Sequence, residues 1–219
     1  MSEFITLFIP FAGTTLGAAM VFFMKDKISP LVEKALLGFA AGVMIAASIW
    51  SLLIPSIDMA EAQGKIAWLP ALIGFALGII FLLVLDTVIP HLHLESDKPE
   101  GVRSKLQKTT MMIFAVTLHN IPEGMAVSVP LINGGMSRVR AVAATAACGL
   151  PTVLGAWLGY WLGDIGPLGL SLSLGFASGA MLYVVFGEII PQSVLMYRSK
   201  LPTFFVIVGI LLGLLIIYY

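Results

Sequence analysis

The sequence predicts an all-α fold, a polytopic transmembrane bundle of seven or eight helices. Three observations predict it. First, 59% of the 219 residues are hydrophobic and only 11% are charged, whereas soluble domains average about 25% charge; the mean hydropathy is +1.02. Second, seven apolar runs approach or exceed the roughly 20 residues that a spanning helix needs; they cover about 4–24, 31–57, 66–90, 109–132, 139–162, 167–193 and 203–219. Third, these runs are continuously apolar and do not alternate polar with apolar residues, which argues against the strands of a membrane β-barrel. A single transmembrane domain over 1–219 is expected. The net charge of zero points to no nucleic-acid partner.

The elements follow in order. The first run opens Met1-Ser2-Glu3 with no basic leader, so it reads as a membrane helix and not as a cleavable signal. Lys25 and Lys27 then make residues 25–29 basic. The second run carries the small pair Gly38/Gly42, a spacing that lets backbones approach where water supplies no driving force. The third run leads into a polar loop, 91–108, with Lys98, Arg103, Lys105 and Lys108. The positive-inside rule places both basic segments in the cytoplasm and the N-terminus outside. Asn133-Gly134-Gly135 and Asp164-Ile165-Gly166-Pro167 are turn signals on either side of the fifth run. That run holds Gly155/Gly159 and the lone Cys148, which reads as a small packing residue between helices. The sixth run repeats the small pair as Gly175/Gly179.

An internal repeat is visible. Gly38-Phe39-Ala40-Ala41-Gly42-Val43-Met44 returns as Gly175-Phe176-Ala177-Ser178-Gly179-Ala180-Met181, with five identities in seven positions. Each copy is followed by an Ile-Pro pair, Ile54-Pro55 and Ile190-Pro191. Repeats flanking a central site are a common plan for secondary transporters.

Ionisable residues inside spans are costly, about 2.5–3.5 kcal/mol at the centre on insertion scales, and are therefore functional candidates. The fourth run holds His119-Asn120-Ile121-Pro122-Glu123-Gly124. His119 and Glu123 are spaced i, i+4 and share one helix face. An imidazole and a carboxylate so placed suit Zn²⁺ or a similar first-row ion. Asn120 can add an oxygen from an adjoining face. Pro122 releases the carbonyl of Leu118 and opens the backbone beside these groups. A buried polar patch that glues helices is the alternative. A second group closes the third run: Asp86, His91 and His93. It suits an ion exit site, a loop sensor or an ordinary polar helix end. Glu188 precedes Pro191 by three residues and offers a further carboxylate. Asp58 and Glu61 follow Pro55 and read as a solvated helix end.

These residues resemble the ZIP family of metal transporters, and the GufA-like bacterial branch in particular. The hexapeptide at 119–124 is similar to the signature of that family's fourth helix. Leu85-Asp86 with Ile89-Pro90-His91-Leu92-His93 is similar to its third-helix end, and Glu188-Ile189-Ile190-Pro191 to its seventh-helix end. The resemblance implies eight helices in a 3+2+3 arrangement with an inverted repeat. It implies that His119 and Glu123 bind one metal and Asn120 an adjacent one, while Asp86, His91, His93 and Glu188 match a cytoplasmic exit site. The chain departs from the pattern by holding one Pro-Glu-Gly helix where the family has two. Thr152 and Gly187 stand where an acidic residue and a histidine are expected. With seven crossings the repeat helices would point the same way; with eight they would be inverted. A second protomer supplying ligands across a homodimer would be one remedy for the missing helix.

The expected function is secondary transport of a divalent transition metal into the cytoplasm across a bacterial inner membrane, with zinc first and iron, manganese or cadmium as further cargo. The alternative is a shortened, non-transporting sensor or structural partner of a complete transporter. No catalytic cofactor is expected, and the absence of a His-Glu-x-x-His motif argues against a membrane metalloenzyme.

Overall fold

The computed structural model describes residues 11, 14–23, 29–64, 66–88, 128, 131–132, 135–164, 166–195 and 199–218. Among them there is no strand. In chain order the helices are α1 (Thr14–Phe23), α2 (Leu31–Glu61), α3 (Trp68–Val88), α4 (Arg138–Asp164), α5 (Pro167–Val194) and α6 (Leu201–Tyr218). Helices α2, α3 and α5 are long and apolar enough to cross a membrane. Along α3, Leu72, Ile73, Leu77 and Ile80 are exposed, as side chains facing lipid are. The turns fall where the glycines predict them. Gly135 and Gly166 take φ of +93° and +124°, backbone that side chains with a Cβ avoid, and Pro167 follows in the first turn of α5.

The chain divides into two compact units. One comprises Met1–Leu37 and Asp86–Trp157, the other Gly38–Leu85 and Leu158–Tyr219. In the first, α1 meets α4 at Gly149, where an added Cβ would stand 3.1 Å from the ring of Phe11 and 3.7 Å from Thr14. Cys148 is buried beside this contact, which agrees with a packing role. Thr145 sits in the same stretch and bonds its hydroxyl to the carbonyl of Ala141 at 2.8 Å.

The second unit holds both copies of the repeat. Gly38 and Gly42 of α2 lie against α6: a Cβ on Gly38 would be 2.6 Å from the carbonyl oxygen of Pro202, and one on Gly42 would overlap that of Val206. Gly175 and Gly179 of α5 lie against α3 in the same manner, with Ala71 O 2.6 Å from a Cβ on Gly175 and Phe75 O overlapping one on Gly179. Each repeat helix thus docks its glycine pair on the helix that follows the other copy. Residue numbers rise together across both contacts, so α2 runs parallel to α6 and α3 parallel to α5. Among the described residues Gly155 has no neighbour within 4 Å of a Cβ, so they show no close packing at that glycine.

The two repeat helices meet through serines. Ser56 donates to the carbonyl of Ser171 at 2.6 Å, and Ser171 donates back to the carbonyl of Ser56 at 2.7 Å. Two turns away, Ser178 donates to the carbonyl of Ser48 at 2.9 Å. All four are fully buried. As the number falls from 56 to 48 on α2, it rises from 171 to 178 on α5, so the repeat helices are antiparallel.

The Ile-Pro pairs do not end their helices. Before each, the helix widens to π geometry, over Ala47–Leu53 in α2 and Val185–Ile189 in α5. The N–H of Ile54 reaches back five residues to the carbonyl of Ile49, and that of Ile190 to Val185. The cause is local: Pro55 and Pro191 offer no N–H and crowd the carbonyls of Ser51 and Gly187, four residues earlier. Adding one residue to the turn relieves the crowding and lets the helix continue, to Glu61 and to Leu195. Asp58 and Glu61 are exposed, as a solvated end requires.

Candidate metal site

Two of the seven candidate ligands are described, Asp86 and Glu188. His91, His93, His119, Asn120 and Glu123 lie outside the described residues. Among the described residues no three His, Cys, Asp or Glu side chains come together as a metal-binding group.

Glu188 lies within the π-helical stretch Val185–Ile189. Its neighbours there include Val185 and Ile189, both buried, and Glu188 itself is 5% exposed. A carboxylate in this setting is stabilised only by charged or hydrogen-bonding company. The π turn matters for chemistry as well as for packing. It offsets the backbone hydrogen-bond ladder around Gly187 and Glu188, and such bulges frequently mark functional sites. Gly187 is exposed, and among the described residues nothing lies within 4 Å of a Cβ placed on it. The described residues leave room there for the histidine that the resemblance expects.

Asp86 stands in the last turn of α3, half-buried, with its Oδ1 shut off from solvent. Asp86 and Glu188 each lie toward the C-terminal end of their own helix, α3 and α5.

Two ionisable residues escape a reading by sequence. Glu33 and Lys34 open α2 and are 7% and 1% exposed. Lys34 is the largest fully buried side chain among the described residues. A signal exists, since both fall just inside the second apolar run. Long side chains near a helix end usually reach for the interface, and that expectation hides them.

Comparison with known proteins gives these residues a context. The family model described as ZIP Zinc transporter matches residues 100–218. Zinc transporter ZIPB of Bordetella bronchiseptica is 31% identical over 216 residues, covering 84% of this chain and 70% of its own length. Zinc transporter GufA of Myxococcus xanthus is 30% identical, covering 83% of this chain and 85% of its own. Human zinc transporter ZIP11 is 26% identical, covering 92% of each chain. That last alignment spans 318 positions, more than the 219 residues available, so the human protein carries stretches without a counterpart here. Over more than half of its length, and with relatives aligned across most of it, the chain belongs to the ZIP zinc transporter family, whose members are transporters and not enzymes.

Proposed function

We propose that this integral membrane protein carries divalent transition-metal ions, zinc foremost, across a bacterial inner membrane into the cytoplasm. The observation that carries the proposal is the family match over 100–218, a stretch that holds both the 119–124 hexapeptide and Glu188. The relatives bear the names of zinc transporters, which favours a carrier over the non-transporting sensor or structural partner. Iron, manganese and cadmium share enough ligand chemistry with zinc to compete.

In this proposal the ion sheds water onto His119 and Glu123, with Asn120 adding an oxygen. Asp86, His91, His93 and Glu188 then serve its departure toward the cytoplasm. Harder ions such as Mg²⁺ prefer all-oxygen surroundings, so the imidazoles select for softer cargo. The ion is substrate, and no catalytic cofactor enters.

Orientation follows from charge and from helix direction. Helices α2 and α6 run parallel, with the exposed Lys200 just before α6 and Lys25 and Lys27 preceding α2 in the sequence, while the exposed Asp58 and Glu61 mark the far end of α2. The positive-inside rule makes the Lys face cytoplasmic. Helices α3 and α5 begin on the opposite face. A link of two residues, 165–166, joins α4 to α5; in this reading α4 crosses as well, in the opposite sense to α5. Helix α4 then begins on the cytoplasmic face, with Arg138 and Arg140, as the charge rule favours. In this reading the chain leaves that face at Val88 and returns to it at Arg138, as an eight-crossing inverted repeat would require.

Uptake of zinc by proteoliposomes loaded with a fluorescent chelator tests the function. Flux that saturates with zinc, and falls more than about tenfold in His119→Ala and Glu123→Ala, is expected; removing even an outer-shell partner costs 10–100-fold. A folded, zinc-binding protein with no flux would overturn the transport reading.

A further inference from the structure

The two π turns differ in what they carry. The stretch Ala47–Leu53 holds no ionisable residue, and α2 is tied to α5 at Ser48 and again at Ser56, so its widened backbone is held at both ends. On α5 the matching ties, Ser171 and Ser178, both precede Val185–Ile189, and that turn contains Glu188. Exposure changes abruptly within it: Phe186 is 59% exposed and Gly187 is exposed, whereas Glu188 and Ile189 are 5% and 8% exposed. The direction a side chain takes around this turn therefore decides its surroundings.

An α-helix advances about 100° per residue. Here the N–H of Ile190 reaches back five residues to Val185, so the turn holds one residue more than an α turn does. With α5 held upstream by its serines, side chains from the end of the turn onward are set back by about one residue position. Were the turn α-helical, Glu188 would point close to where Ile189 points now, a buried position that accepts an apolar side chain, and residue 187 would point close to where Glu188 does. Pro191 keeps the turn wide, because it offers no N–H to the carbonyl of Gly187 and crowds that carbonyl. We infer that Pro191 is a positioning residue for zinc transport: through the π turn it sets the direction in which Glu188 presents its carboxylate. This deepens the proposed function and rests on its reading of Glu188 as a ligand of the ion. Pro191 has no side-chain donor atom to offer the ion; its part is to fix the register. Pro55, its counterpart in the repeat, widens α2 in the same way but has no ligand to aim.

A register swap tests it. Gly187→Glu with Glu188→Gly moves the carboxylate back by one position, and is made once in the native backbone and once with Pro191→Ala. Zinc affinity is read by competition with a chelator in a His119→Ala, Glu123→Ala background, which leaves the Glu188 group as the candidate site. Zinc uptake by proteoliposomes is read in the otherwise native chain. Alanine at 191 restores the N–H and lets α5 close as an α-helix; Pro191→Ser restores the same N–H and stands in should Pro191→Ala fail to fold. Pro191→Ala alone should weaken zinc binding about tenfold and lower uptake to match, as loss of an outer-shell partner does. The swap alone should do the same. The swap combined with Pro191→Ala should recover most of both, a crossover that a proline needed only for folding does not produce. Pro55→Ala should leave both unchanged. Native affinity and uptake in Pro191→Ala, a combined variant no better than either parent, or an equal loss in Pro55→Ala would each overturn the role of Pro191. No zinc bound in the His119→Ala, Glu123→Ala background would overturn it together with the reading of Glu188 as a ligand. The crossover in affinity, with no uptake by the native chain, would uphold Pro191 and overturn transport alone.

Discussion

Glu188 shows how much a single residue can disclose. Its carboxylate is buried in a stretch of helix otherwise built of Val185, Phe186, Gly187 and Ile189. Apolar sequence makes a charge conspicuous, which is why Glu188 and Asp86 are legible as candidates from sequence alone. Glu188→Gln keeps the shape and hydrogen-bonding capacity of the side chain but removes its charge. Zinc uptake should fall about tenfold or more while thermal stability in detergent is nearly unchanged; equal uptake would assign Glu188 a structural role only. Gly187→His is the converse change. With no described atom within 4 Å of its Cβ position, the imidazole should be tolerated and should tighten zinc binding by the folded protein, as measured by competition with a chelator. The serines are not legible in this way. A hydroxyl in an apolar helix often satisfies itself on the carbonyl four residues back, as Ser48 does on Met44 at 2.7 Å. Nothing in the sequence distinguishes such a serine from Ser56, which reaches Ser171 on another helix. Ser171→Ala removes the bond that Ser171 donates, while Ser56 can still donate to the carbonyl of residue 171. At about 0.6 kcal/mol per interhelical bond in a membrane, it should lower stability by about 0.6 kcal/mol, and Ser56→Ala with Ser171→Ala by about 1 kcal/mol, read from reversible unfolding in mixed micelles.

At the scale of elements, sequence spacing predicts well where geometry is local and less well where the partner decides. The apolar runs anticipate α2 to α6 to within a few residues, because lipid demands continuous apolar helix. The repeat is visible because glycines must recur where backbones touch. Whether a given pair is used depends on a neighbour that the sequence does not name: Gly42 and Gly179 are pressed against the carbonyls of Val206 and Phe75, while no described residue lies within 4 Å of a Cβ on Gly155. Gly42→Val and Gly179→Val should therefore force α2 from α6 and α5 from α3. A cost at or above the usual 1–3 kcal/mol of overpacking is expected, because the obstructing atoms are backbone and cannot rotate away. Gly155→Val should be neutral within about 0.5 kcal/mol. Thermal unfolding of the three variants in detergent separates these outcomes, and equal melting temperatures would mean that the helices yield more easily than their close contact implies. The π turns are foreseeable only in part. Pro55 and Pro191 announce a disturbance, but sequence does not say whether each helix will stop, kink or widen. Widening keeps every residue from Leu31 to Glu61 in one helix and places Glu188 on the irregular turn.

For the whole molecule the decisive fact is the direction of the repeat helices. The sequence leaves two topologies open because a run of apolar residues has no arrow; direction appears only when Ser56 and Ser48 find Ser171 and Ser178 in reverse order. In the proposed orientation the ends at Val88 and Arg138 share one face. The hexapeptide candidates lie between those ends in the sequence, outside the described residues. A chain with one cysteine, and that one buried, is well suited to a test by labelling. In a Cys148→Ser background, single cysteines replace Ser29, Glu61, Arg140 and Lys200, all exposed. Right-side-out vesicles are then treated with a membrane-impermeant maleimide. Glu61→Cys should react from outside, while Ser29→Cys, Lys200→Cys and Arg140→Cys should react only after the membrane is permeabilised. Arg140→Cys is the informative position. If it reacted from outside while Lys200→Cys stayed protected, the chain would cross an odd number of times between Val88 and Arg138, and α4 would begin on the outer face. If both stay protected, the basic ends of α2, α4 and α6 share the cytoplasmic face, where the positive-inside rule and the inverted repeat place them independently.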